Sequence, residues 1–167
     1  MNLPYARVLI VSLITAAMTV VACGGDEELT LEEYFERVTE IADSRDAETD
    51  ELEQKFDELE ENEVDAFSGL VGDMAKLTRD AFKDMDGLNP PAEAEAAHDE
   101  FVSAGFAMSD AFDEVVEELG DAESMEDAFG VMSDTPDLQA AEERSNNACA
   151  ALQAVADDAG IDADLDC

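Results

Sequence analysis

The sequence predicts an all-α protein, an antiparallel helical bundle of about four helices in which the first helix is long. Apolar residues recur at three- and four-residue spacing through most of the chain, which is the period of one helix face. No run alternates apolar and polar residues as a half-buried strand would. Residues typical of helix starts and ends separate the periodic stretches by short connections, as in antiparallel bundles.

The first helix is predicted from residue 31 to about 61. Thr30 and Glu33 match a capping box, in which each side chain accepts a hydrogen bond from the backbone of the other residue. The polar stretch from 43 to 50 interrupts the apolar face and indicates either a solvated overhang or a hinge. The face consists of Leu31, Tyr34, Phe35, Val38, Ile41, Ala42, Leu52, Phe56 and Leu59.

The second helix is predicted from about 63 to 86 and the third from about 91 to 119. Gly87 suits the left-handed position that ends a helix, and Pro91 suits the first position of the next one. Gly69 and Gly72 either let a neighbouring helix approach closely or bend the second helix. The third helix is apolar around much of its circumference, so we expect it to contact two neighbours.

The chain then continues into a short amphipathic segment and a fourth long helix. Residues 121 to 134 are predicted to form one or two helical turns that cover one end of the bundle. Thr135 and Pro136 are a cap followed by a first-turn proline, and they predict a fourth helix from 136 to about 158. Gly160 ends it, and the tail is expected to fold back along this helix.

The amino-terminal segment has the pattern of a secretory signal. An apolar, uncharged run from residue 8 to 21 follows Arg7, which is the only basic side chain before the run. The run is shorter than the roughly 20 residues that cross a bilayer. It therefore predicts a signal peptide rather than a transmembrane helix.

The signal ends in Val20-Val21-Ala22-Cys23, an aliphatic and small-residue run before a cysteine. This run resembles the lipobox of bacterial lipoproteins. The resemblance implies that diacylglycerol is attached to the Cys23 thiol and that the signal is cleaved before Cys23. The alternative is an ordinary signal peptide with a chance cysteine.

The lipobox divides the chain into three parts. These are a lipoprotein signal peptide at 1–22, a lipidated tether at 23–29 and an acidic helical-bundle domain at 30–167. We expect the protein to be held at a cell membrane or outer surface by the lipid on Cys23, with its domain outside the cytoplasm.

The charge of the mature chain is strongly negative. Removal of residues 1 to 22 leaves 145 residues with seven basic and 45 acidic side chains, a net charge of −38. This charge repels nucleic acids and anionic lipid surfaces, so no nucleic-acid partner is expected. It indicates either a solvated surface that keeps the protein soluble or the capture of cations or of a basic partner.

Two cysteines remain once Cys23 is acylated. Cys149 and Cys167 are an even pair in an exported protein, where disulfides persist, so we expect them to be bonded to each other. The alternative is two free thiols in a domain that faces a reducing compartment.

A second motif surrounds the turn before the third helix. Leu88, Pro90, Pro91 and Glu93 are followed by His98-x-x-Phe101. This pattern, which extends over about residues 85 to 119, is similar to one in uncharacterised exported helical lipoproteins of bacteria. The resemblance implies no activity.

The catalytic and ligand-binding motifs are sparse, and the chain is predicted not to be an enzyme and to need no cofactor. Glu95 and His98 form a Glu-x-x-His, half of the ligand set of a di-iron helical bundle, but His98 is the only histidine. We therefore predict no metal site and keep Glu95 and His98 as an alternative metal-binding pair. A lone histidine without an activated serine or free cysteine offers no nucleophilic mechanism.

The remaining alternative is an apolar ligand site. Aromatic and methionine side chains are concentrated between residues 101 and 132, where they form either core or the lining of a pocket for a small apolar solute. The preferred hypothesis is a non-enzymatic binding or interaction module. The residues concerned are Phe101, Phe106, Met108, Phe112, Met125, Phe129 and Met132.

Overall fold

The computed structural model describes residues 28–60, 63–165 and 167. These residues form helices and no strand, so the all-α prediction is confirmed for them. The signal peptide, Cys23 and most of the tether lie outside the described residues. The helices are α1 (Leu31–Asp43), α2 (Asp46–Asp57), α3 (Val64–Asp86), α4 (Glu95–Leu119), α5 (Met125–Asp134) and α6 (Pro136–Ala159).

The predicted long first helix is wrong, because the chain divides into α1 and α2 at Ser44 and Arg45. The Ser44 hydroxyl donates a hydrogen bond to the Ile41 carbonyl at 2.7 Å and ends α1 locally. Arg45 pairs with Asp84 on α3 at 2.5 Å. The polar stretch therefore contacts α3 through the ion pair between Arg45 and Asp84, and α1 and α2 pack through separate apolar residues on either side of it.

The start of α1 agrees with the sequence prediction. The Glu33 amide donates to the Thr30 hydroxyl at 3.3 Å, and the Thr30 amide donates to the Glu33 carboxylate at 3.0 Å. Hydrogen bonds from the Thr30 side chain and backbone lower the pKa of Glu33. The capping box is therefore confirmed.

Three predicted boundaries need correction. Pro91 does not begin α4, because the Ala94 amide donates to the Pro91 carbonyl in a turn that delays the helix to Glu95. Gly87 has a φ of −77°, so α3 ends without a left-handed residue. The segment before α6 forms the ten-residue α5 rather than one or two turns, because Ser124 caps it by accepting a hydrogen bond from the Asp127 amide.

Two further predicted signals hold, whereas Thr135 precedes α6 without capping it, because its hydroxyl donates to the Val131 carbonyl at 2.6 Å. Pro136 is the first residue of α6, and Gly160 ends this helix with a φ of 71°, in the left-handed region that glycine tolerates. α4 lies at the centre of the fold and packs against both α3 and α6, as its wide apolar surface predicts.

Two clusters of buried side chains form the core, one on each half of α4. The first cluster joins the amino-terminal half of α4 to α1, the end of α3 and α6: Tyr34, Phe35, Val38, Met85, Ala94, Val102, Leu152 and Ala156. The second cluster joins the carboxyl-terminal half of α4 to α3, α5 and the start of α6: Phe67, Val71, Ala111, Val115, Leu119, Ala128, Leu138 and Ala141.

The closest approach between α3 and α4 occurs at Gly105. A Cβ atom on Gly105 would overlap the ring of Phe82. At Gly72 an added Cβ would lie 3.9 Å from Val116, an ordinary contact, and at Gly69 it would meet nothing within 4 Å. Close packing therefore depends on the glycine of α4 rather than on the two glycines of α3.

Candidate functional site

An open apolar groove lies between α2, α3, α5 and α6. Its volume is about 780 Å³, within the size range of ligand sites in proteins. Most of its lining is aromatic, aliphatic or methionine side chain. The lining residues are Phe56, Phe67, Met74, Phe129, Gly130, Met132, Ser133, Leu138, Gln139 and Glu142.

Three aromatic rings form a series across the groove. The ring of Phe67 meets that of Phe56 edge to face at 5.8 Å and that of Phe129 at 5.2 Å. Such edge contacts are favoured by the charge distribution of aromatic rings. Phe67 is 2% exposed and belongs to the second cluster, whereas Phe129 is 57% exposed. The series therefore leads from the core to an aromatic surface that water contacts.

The position of α5 over the groove is fixed at both of its ends. At its start, the Ser124 hydroxyl donates to the Asp127 carboxylate at 2.8 Å. At its end, the Thr135 hydroxyl donates to the Val131 carbonyl at 2.6 Å, and Gln139 donates to the Ser133 carbonyl at 2.6 Å. Between these ends Ala128 is fully buried. These contacts hold Phe129 and Met132 at the groove.

Negative charge borders the groove on several sides. Glu142 is the only ionisable residue among its lining residues. Asp137, next to the lining residue Leu138, raises the pKa of Glu114 through its negative charge and by hydrogen bonding. The helices on either side are acidic as well: α2 contains Asp46, Glu48, Asp50, Glu51, Glu53 and Asp57 with Lys55 alone, and α5 contains Glu126, Asp127 and Asp134 with no basic residue.

The sequence prediction of an apolar pocket agrees with the groove in part. Phe129 and Met132 line the groove. Phe101 instead meets the ring of Phe82 edge to face at 5.0 Å, and both Phe101 and Phe106 pack against the first cluster. The other three predicted residues pack against the second cluster without lining the groove: Met108, Phe112 and Met125.

Eight of the ten lining residues were not predicted, and three of them, Phe56, Phe67 and Met74, are large apolar residues of α2 and α3. Phe67 and Met74 are seven residues apart on α3, a spacing that places them on one helix face and was visible in the sequence. Phe56 lies on α2, and its approach to α3 depends on the division of the first predicted helix. The seven-residue spacing on α3 could therefore have indicated that Phe67 and Met74 share one face, but not that this face meets Phe56 and α5.

The predicted alternative metal pair, Glu95 and His98, is not brought together with further ligands. His98 is 4% exposed, and its Nδ1 lies 3.0 Å from the Tyr34 hydroxyl, whereas Glu95 is exposed. Burial lowers the pKa of His98 and raises that of Tyr34, so both side chains are neutral, and the tautomer of His98 sets which of them donates the hydrogen bond. Within residues 28–60, 63–165 and 167, no group of three or more metal-ligating side chains occurs.

The carboxyl-terminal tail is bonded to α6. Cys149 and Cys167 form a disulfide with their Cα atoms 5.6 Å apart. Gln153 donates to the Ala163 carbonyl at 2.7 Å and accepts from the Leu165 amide at 3.1 Å. The tail folds back along α6 and packs on the first cluster, as the sequence analysis expected.

The last two residues of the tether, Glu28 and Leu29, are fixed at the end of the fold remote from the groove. The Leu29 amide donates to the Asn89 carbonyl, and the Ala92 amide donates to the Glu28 carboxylate, both at 3.1 Å. These contacts lie at the turn between α3 and α4. The groove residues of α3, Phe67 and Met74, lie 20 and 13 residues before Gly87, so about 20 to 30 Å of helix separates the groove from these contacts.

Comparison with known proteins identifies no relative. No family model, curated protein or solved structure matches the chain. Among the helices that the structure describes, none combines the length and the apolar character needed to cross a membrane. The function is therefore argued from the chain itself.

Proposed function

We propose that the protein is an extracytoplasmic lipoprotein, anchored through Cys23, whose helical domain is a non-enzymatic binding module. The support for the anchor is the apolar run that ends in the lipobox-like residues before Cys23. The disulfide between Cys149 and Cys167 also fits an oxidising compartment outside the cytoplasm.

The observation that supports a binding function is the apolar groove beside α5. Its series of aromatic rings ends in Phe129, the one large apolar side chain that is exposed among the described residues. Exposed apolar surface next to a concave site is typical of ligand-binding or partner-binding regions. The ligand binds by burying an apolar part against Phe129, Phe67 and Met132.

The groove contains binding chemistry rather than catalytic chemistry. Its polar lining groups are Ser133, Gln139 and Glu142. The Gln139 amide already donates to the backbone of Ser133, and neither histidine nor cysteine lines the site. A serine without a base beside it is a weak nucleophile. The preferred activity is therefore retention of a ligand without its conversion.

The bundle that supports this site is proposed to be antiparallel with four layers. Residues of α3 and α4 that contact each other support this arrangement. Later residues of α3 contact earlier residues of α4, as expected for two helices that run in opposite directions. Phe82 faces Gly105, and Ser109 donates a hydrogen bond to the Ala75 carbonyl at 3.0 Å. α1 with α2 would provide the first layer, followed by α3, α4 and α6.

Methyl NMR of methionine provides a direct test of the groove. The lipidated protein, labelled with ¹³C at the methionine methyl groups and held in nanodiscs of zwitterionic lipid, is titrated with an uncharged naphthalene derivative. Met74 and Met132 line the groove and should shift, whereas Met85, which is buried in the first cluster, should not. Equal shifts at all three methyl groups, or none, would refute ligand binding at this site.

A matched pair of variants completes the test. Phe129→Ser removes the exposed ring, so the shifts of Met74 and Met132 should be lost at the same ligand concentration. Val155→Ser makes an apolar-to-polar change at a half-buried position on α6 beside the first cluster and should leave the shifts unchanged. If both variants behave alike, the groove is not the site.

A further inference from the structure

We infer that the natural occupant of the groove is a basic amphipathic helix of a partner protein, which places its apolar face on the Phe and Met lining and its lysine or arginine residues towards the acidic border. This inference rests on the proposed binding function and adds the chemical class of the ligand. Shape, adaptability and charge of the groove support it, and each is a separate observation.

The shape of the groove suits a helix better than a small solute. It is open to water, and Phe129 at its edge is 57% exposed. A small molecule would leave one of its own faces in water, whereas well-formed small-molecule sites cover most of their ligand. An amphipathic helix fits this form because it buries a single apolar stripe and leaves its polar face in solvent.

The lining suits apolar side chains of varied shape. Met74 and Met132 lie among the aromatic rings of the groove. Methionine has a flexible, polarisable side chain, so it adapts its shape to the residue it contacts. Surfaces of this kind accept the leucine, phenylalanine and methionine anchors of an amphipathic helix at spacings of three, four and seven residues.

The negative charge around the groove favours a partner with positive charge. Two of the four helices that border the groove, α2 and α5, contain nine carboxylates and one basic residue between them, Lys55. Glu142 adds a negative charge within the lining. A segment that contains lysine or arginine beside its apolar stripe is attracted to this border. The negative field also increases its association rate at low ionic strength.

The same charge disfavours the other candidates for the apolar surface. A second copy of this chain has the same excess of 45 acidic over eight basic residues and would bring α2 and α5 of both copies together. Anionic lipid headgroups are repelled for the same reason. A basic protein segment is therefore the class of partner that combines apolar burial with charge complementarity.

Three synthetic helical peptides test the inference on the lipidated protein in zwitterionic nanodiscs, with empty nanodiscs as the blank. All three have the same apolar stripe, and their polar faces consist of lysine, glutamine or glutamate. At low salt, fluorescence anisotropy should give a Kd for the lysine peptide at least about tenfold below that of the glutamine peptide. This preference should shrink as salt screens the charges, and the glutamate peptide should bind most weakly.

Variants assign the two parts of the interaction. Phe129→Ser should weaken the lysine and glutamine peptides alike because both share the apolar stripe. Glu142→Gln should raise the Kd of the lysine peptide roughly two- to fivefold, the effect of one exposed ion pair, and leave the glutamine peptide unchanged. Glu143→Gln is the matched control, since Glu143 lies outside the groove on the same helix and makes the same charge change.

Each alternative result overturns a stated part of the inference. Equal Kd values for the lysine and glutamine peptides would refute selection by charge. If no peptide shifts Met74 and Met132 but the naphthalene derivative does, the helix is refuted and the proposed binding function stands. If neither ligand shifts them, both proposals fail. Concentration-dependent self-association in analytical ultracentrifugation that Phe129→Ser abolishes would make a second copy the occupant and refute the inference.

Discussion

Replacement of Gly105 by alanine should destabilise the fold, although alanine is the better helix former. The intrinsic preference for alanine in a helix interior is worth about 1 kcal/mol. At Gly105, however, the new Cβ would overlap atoms at the base of the Phe82 ring, which cannot move without displacing the ring. Overpacking of this kind costs about 1 to 3 kcal/mol, so the net change should be a loss of up to about 2 kcal/mol.

The matched control is Gly69→Ala in α3, where the added Cβ meets nothing within 4 Å. This variant should gain up to about 1 kcal/mol because only the helix preference acts. Urea unfolding followed by circular dichroism at 222 nm measures both changes, and the two midpoints should move in opposite directions. A Gly105→Ala variant as stable as the Gly69→Ala variant would refute the close approach of α3 and α4.

Three further predictions concern the anchor, the disulfide and the buried histidine. Cys23→Ala should move the protein from the membrane fraction to the soluble fraction, and unchanged retention on immunoblots would contradict the lipid anchor. Cys167→Ser should lower the free energy of unfolding by about 3 kcal/mol, as expected for opening a loop that spans 18 positions, and reduction of the native protein should have the same effect on its urea midpoint. Burial lowers the pKa of His98 in the folded protein, so as the pH falls below 6.5 the histidine is protonated in the unfolded chain before it is protonated in the folded one. The free energy of unfolding should therefore decrease from pH 6.5 down to the lower pKa of the folded protein. His98→Gln should lose this part of the pH dependence between pH 7.5 and 5, whereas an identical pH profile in the variant would refute it. Tyr34→Phe should cost about 1 to 3 kcal/mol, because it removes the partner of a buried ring nitrogen.

Local signals predicted most of the helices because they act within one turn of the chain. Thr30 and Glu33 fix the start of α1, Pro136 begins α6 and Gly160 ends it, and each does so through its own backbone or side chain. The polar stretch from 43 to 50 indicated a hinge as one alternative to a continuous helix, but the break at Ser44 and Arg45 was not itself predicted. Arg45 remains near the helical region of backbone angles, and its contact with Asp84 joins residues 39 positions apart.

The groove was harder to predict from the sequence because it also depends on contacts between residues that are distant along the chain. Phe129 and Met132 stand out because they are large apolar residues on a short amphipathic segment. Phe56 and Phe67 read as ordinary core residues of two separate helices, and only their 5.8 Å ring contact makes them part of one surface. The arginine contacts that fix α4 between its neighbours were also unpredictable, since Arg144 meets Glu100 at 2.7 Å across 44 positions.

The attachment of the tether at Asn89 has an electrostatic consequence. If Cys23 is lipidated as proposed, Glu28, which contacts the turn between α3 and α4, lies five positions after it, and the groove lies about 20 to 30 Å of helix beyond that turn. The Debye length at physiological ionic strength is about 8 Å, so several screening lengths separate the groove from the lipid headgroups. The field that a partner meets at Glu142 is then set by the protein alone, and a change in lipid charge should leave recognition at the groove unaffected.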